Sequence, residues 1–130
     1  MTTTISKKTI LVSVVICVLL SLLLVANAYA VSVSANIKKG QGPVFSGEMT
    51  ANYGVSYSGN NSDKSGSVLY FSIEERSGLF WVTDTVNPMG IGQPASGKSK
   101  LRTPRYWRVK LNPAYANKDC IGNGSATELP

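Results

Sequence analysis

Met49-Thr50-Ala51-Asn52-Tyr53-Gly54-Val55-Ser56-Tyr57 is the stretch that decides the fold. Met, Ala, Tyr, Val and Tyr alternate with Thr, Asn, Gly and Ser. Residues two apart share one face of an extended strand, so this period sorts the chain into a buried and a solvated side. Outward from it, Val31, Val33, Ala35 and Ile37 alternate with Ser32, Ser34 and Asn36. Lys39-Gly40-Gln41-Gly42-Pro43 makes the turn between the two runs, and Ser58 to Gly66 reads as a polar loop.

Val68 to Glu74 and Leu79 to Val86 are rich in aromatic and β-branched residues and are joined by Glu75-Arg76-Ser77-Gly78, a hairpin connection. The apolar runs Val68 to Phe71 and Leu79 to Val82 predict strands covered on both faces. Asn87 to Gly97, with two prolines and three glycines, reads as a long loop. Alternation resumes from Tyr106 to Leu111, and the chain is polar after Pro113. No helix-period segment follows residue 30. The expected fold is therefore all-β, a small antiparallel sandwich or barrel-like domain. Its core should hold Val33, Met49, Ala51, Val55, Leu69, Phe71, Phe80, Val82, Trp107, Val109 and Leu111.

The amino-terminal thirty residues have a different character. Lys7 and Lys8 precede an uncharged apolar run from Thr9 to Val25, and Ala26, Ala28 and Ala30 follow. A basic end, a hydrophobic segment and a small-x-small site make a secretory signal, with cleavage expected after Ala30. The alternative is a retained membrane anchor, facing the rest of the chain outward. The expected organisation is a cleaved signal peptide at 1–30, a single β domain at 31–115 and a flexible carboxy-terminal tail at 116–130. The expected localisation is secreted, periplasmic or cell-surface.

Of 13 Lys and Arg, Lys7 and Lys8 lie in the signal, which leaves eleven against seven acidic residues. Cys17 also lies there, so Cys120 is alone in the mature part and no intramolecular disulfide can form. The chain has no histidine, which removes the commonest general base and the usual zinc ligand sets. Gly90-Ile91-Gly92-Gln93-Pro94 is no phosphate-binding loop. Glu48, Glu74 and Asp84 could face one another as a hydrolytic pair, but Glu74 and Glu75 beside Arg76 read as a solvated hairpin end. Asn60-Asn61-Ser62-Asp63 offers oxygen ligands without the spacing of a calcium loop, so a plain turn is expected. Asn60-Asn61-Ser62 and Asn123-Gly124-Ser125 match the N-glycosylation pattern. No enzymatic activity, cofactor or metal is expected.

Two constellations have positive content. Lys98, Lys100, Arg102, Arg105, Arg108 and Lys110 fall within thirteen residues, with Tyr106 among them, and no acidic residue lies between Asp84 and Asp119. Such a basic patch suits an anionic partner, with Tyr106 stacking on a base or sugar. The competing reading is an edge strand guarded by cations. Second, cleavage after Ala30 would free Val31, Val33, Ala35 and Ile37 as an amino-terminal strand for exchange into a neighbour.

The function expected is a small secreted, non-enzymatic binding or interaction protein for an anionic envelope surface, glycan or lipid. A protein partner and nucleic acid stay open. The alternatives are a structural subunit of a cell-surface assembly that self-assembles through its first strand, and a cationic toxin or antimicrobial factor.

Overall fold

The computed structural model describes residues 6–26, 30–100 and 105–130. One helix, α1 (Lys7–Ala26), precedes nine strands: β1 (Ser32–Ile37), β2 (Val44–Phe45), β3 (Met49–Ala51), β4 (Gly54–Asn61), β5 (Leu69–Ser77), β6 (Phe80–Met89), β7 (Pro94–Lys100), β8 (Arg105–Pro113) and β9 (Gly122–Glu128). The α1 side chains from Lys7 to Leu19 are exposed rather than packed on the strands. Among the described residues no helix is long and apolar enough to cross a membrane.

The strands form two antiparallel sheets. Sheet A has the order β1-β9-β4-β7; sheet B has the order β2-β8-β5-β6, with β3 also paired to β8. Both contribute to one buried cluster: Ala35, Ile37, Val55 and Ala126 from sheet A, and Met49, Ala51, Leu69, Phe71, Ile73, Met89, Trp107, Val109 and Leu111 from sheet B. The all-β expectation is met.

The deciding stretch, however, is not one strand. Met49–Ala51 pairs with β8 in sheet B, whereas Gly54 onward pairs with β7 in sheet A. Gly54 sits at φ +116°, a conformation other residues avoid, and Tyr53 is exposed at the crossing. The alternation survives because both sheets look into the same core: Met49, Ala51 and Val55 are all buried.

The carboxy-terminal segment expected as a flexible tail is instead β9, hydrogen-bonded between β1 and β4. Its inward positions are Gly122, Gly124 and Ala126, so it lacks the apolar alternation that marks a strand. The reason is steric. A β-carbon on Gly122 would lie 2.6 Å from Leu69 Cδ2, and one on Gly124 would collide with the Phe71 ring. Large side chains of sheet B fill the space that β9 leaves empty.

The expected loop at 87–97 is also strand. The β6 strand runs through Pro88 to Met89, only Gly90–Gln93 turn, and β7 starts at Pro94. Both prolines are tolerated because β6 and β7 are edge strands, where one side of the backbone need not donate to a ladder. The β5–β6 hairpin is present, but its turn is Gly78-Leu79, with Gly78 at φ +63° as a two-residue connection requires. The apolar run of β6 is not covered on both faces: Phe80 is 75% and Val82 46% exposed, and neither belongs to the core. Val33 is half-buried, and the other eight expected core residues are buried.

Candidate functional site

The basic block does not form one surface. Lys98 and Lys100 lie on β7 rather than on a loop, pointing outward from sheet A. Tyr106, Arg108 and Lys110 occupy the outer face of β8 in sheet B, alternating with buried Trp107, Val109 and Leu111. Arg105 has the opposite parity, across from Ala51. Arg102 lies outside the described residues.

Their electrostatic states differ as much as their positions. On the outer face of sheet B, Glu74 stands directly across from Arg108 and is 5% exposed. Arg108 Nε donates to Glu74 Oε2 at 2.7 Å, and Lys110 Nζ lies 3.7 Å from Oε1. The Arg108 guanidinium is clamped between the rings of Phe45 and Trp81, 4.3 Å from each centroid. A planar cation between two ring faces gains from both quadrupoles while its fork satisfies the carboxylate. Arg105 lies 3.8 Å from Glu75 Oε1, and Arg76 lies 4.0 Å from Glu48. Arg108 and Lys110 are thus committed to a buried carboxylate, while the Arg105 and Arg76 pairs are looser and nearer the surface. Moreover β8 is covered along both sides, by β5 and by β2 with β3, so it is not an edge needing a charged guard.

Lys98 and Lys100 are exposed and form no ion pair among the described residues. The strand they sit on, β7, is an edge of sheet A. They rise from a floor that the register makes regular. Ser32, Thr127, Ser56 and Lys98 form one cross-strand row. Ser34, Ser125, Ser58 and Ser96 form the next, and Asn36, Asn123, Asn60 and Pro94 the third. The outer face of sheet A is thus hydroxyls and amides, with lysines at one end. Contacts within it are long: Ser58 and Ser125 hydroxyls are 3.4 Å apart, and Ser56 Oγ is 3.4 Å from Thr127 O.

At the asparagine end the floor becomes concave. A depression of about 640 Å³ is lined by Asn36, Lys38, Asn60, Ser62, Ile121 and Asn123, with Ile37 and Gly122 beneath. Its rim is tightly tied. Ser62 N donates to Ile121 O at 2.7 Å, Ser65 Oγ bridges Ile121 N and O, and Ser67 Oγ donates to Asp119 Oδ1 at 2.6 Å. Buried Asn61 donates to Ser67 O and Met89 O. The expected loop from Ser58 and turn from Asn60 begin later than the sequence suggested: Ser58 to Asn61 complete β4, and the turn after them is closed by Ser65 N donating to Ser62 O and Lys64 N to Ser62 Oγ.

The three carboxylates considered for hydrolysis have separate partners: Glu48 with Arg76, Glu74 with Arg108 and Lys110, and Asp84 as acceptor from Ser99 Oγ. Among the described residues no three His, Cys, Asp or Glu gather as metal ligands. Cys120 is buried as a free thiol. Of the strand-exchange segment, Val31 is exposed just before β1, Val33 is half-buried, and Ala35 and Ile37 are buried in the chain's own core.

The asparagine row was not legible as a unit in the sequence. Asn60 and Asn123 stand out there only as two glycosylation patterns 63 positions apart, and the pairing of β4 with β9 makes them direct neighbours.

No family model and no curated protein sequence matches the chain. Among solved structures, its fold is similar to the crystal structure of PirA, with a TM-score of 0.53, 8% identity, and coverage of 75% of this chain and 93% of that one. The crystal structure of the Yersinia pseudotuberculosis-derived mitogen aligns at a TM-score of 0.45 with 11% identity, over 78% of this chain and 86% of that one. The PirA likeness is one of fold alone.

Proposed function

We propose that this chain is an exported, non-enzymatic β-sandwich protein that binds an anionic partner through the outer face of sheet A. The observation that carries this reading is the contrast between the two halves of the basic block. Arg105, Arg108 and Lys110 have carboxylates beside them, whereas Lys98 and Lys100 stand free above a hydrogen-bonding floor. A cation already paired adds little attraction for a further anion; an unpaired one on an exposed face adds its full screened field. The basic leader and apolar helix support export, with the β domain working outside the cytoplasm.

The test is binding of the full-length protein to polyphosphate and to vesicles rich in phosphatidylglycerol, at several salt concentrations. Each lysine near an anionic surface contributes about 1 kcal/mol, so Lys98→Gln with Lys100→Gln should weaken vesicle binding roughly thirtyfold and flatten its salt dependence. The melting temperature should hold, since both side chains are exposed. Unchanged affinity in the double variant, or binding indifferent to salt, would overturn the reading.

A further inference from the structure

We propose that the Asn36–Asn123–Asn60 row is a saccharide subsite, taking the hydroxyl edge of an acidic sugar whose charged substituent meets Lys38. This deepens the anion-binding reading and rests on it, naming the partner as an acidic glycan. Asparagine is depleted from strands, because its short amide competes for backbone hydrogen bonds. Yet three sit in register on three adjacent strands, all exposed. Among the described residues none of their side chains has a hydrogen-bond partner. Strand spacing of about 4.8 Å spreads the three amides over roughly 10 Å. Each amide offers two donors and an acceptor, the complement of a sugar hydroxyl that both donates and accepts.

The concavity is the independent observation: the same three asparagines line the depression with Lys38 and Ser62. The bonds among Ser62, Ser65 and Ile121 hold that rim in place, so little ordering is left for a ligand to impose. The floor presents no aromatic ring in its three rows, which favours recognition by hydroxyl edges over stacking on a ring face. From Asn60 to Ser56 the strand runs about 14 Å. An oligosaccharide lying along β4 would therefore leave the asparagines, cross the serine row and bring a second acidic unit to Lys98 and Lys100.

The experiment compares tetragalacturonate, an acidic glycan, with polyphosphate, an anion without sugar hydroxyls, by calorimetry on the full-length chain. Asn36→Ala with Asn123→Ala should weaken tetragalacturonate at least tenfold, leave polyphosphate unchanged and keep the melting temperature. The asparagine side-chain amide resonances of the unmodified protein should shift with tetragalacturonate and not with polyphosphate. The subsite is overturned if the asparagine variant binds tetragalacturonate normally, if it loses both ligands equally, or if tetragalacturonate does not bind. Failure of the wider reading is distinct: Lys98→Gln with Lys100→Gln would then leave polyphosphate binding intact.

Discussion

Replacing Arg108 by alanine tests whether the cations of β8 are structural rather than available to a partner. The substitution removes a 2.7 Å charge-assisted hydrogen bond to Glu74, a carboxylate only 5% exposed. Bonds to charged groups contribute about 1.5–3 kcal/mol, and stranding the buried acceptor puts the loss at the upper end. Two ring contacts at 4.3 Å go as well, at roughly 0.5–1 kcal/mol each. Lys110, 3.7 Å from the same carboxylate, stays and offsets part of the loss. The expected cost is about 3–4 kcal/mol, read from urea unfolding or as a fall in melting temperature of roughly 12 °C or more. Arg108→Lys should cost about half as much, since it keeps the charge but loses the planar fork and stack. In a Glu74→Gln background the cost of Arg108→Ala should shrink, because no buried charge is then stranded. A cost below about 1 kcal/mol, or one unchanged by Glu74→Gln, would refute the reasoning and return Arg108 to the candidates for partner binding.

Two further substitutions probe the fold on which the site rests. Gly124→Val should destabilise by about 2–3 kcal/mol, because its side chain must enter space held by Phe71, and Phe71→Leu should recover part of that loss; additive effects of the two changes would count against the contact. Ending the chain after Asn117 removes β9 from between β1 and β4, so circular dichroism should show loss of the β signal; a folded product would show that β9 is dispensable.

The all-β class, the alternation of β1 and β8, most of the core and the lack of a histidine site are all legible in the residues alone. Those properties are local: a period of two records that each strand has one buried face, whichever strand lies beside it. Where one face is lined by glycine, the record vanishes, and β9 has the pattern of a tail because Phe71 and Leu69 supply the bulk that its own residues lack. Prolines 88 and 94 likewise spoke for a loop, since only sheet order reveals that their strands are edges. The candidate site was legible as residue types and not as a surface. The cations were visible in line, but pairing of β5 with β8 set Glu74 against Arg108 and Lys110, while β7 went to the other sheet and left Lys98 and Lys100 free. Asn36, Asn60 and Asn123 became one row only through β1–β9 and β9–β4 pairing. Charge pairing and ligand-sized rows depend on distances between strands far apart in the chain, and backbone register, not sequence spacing, sets those distances.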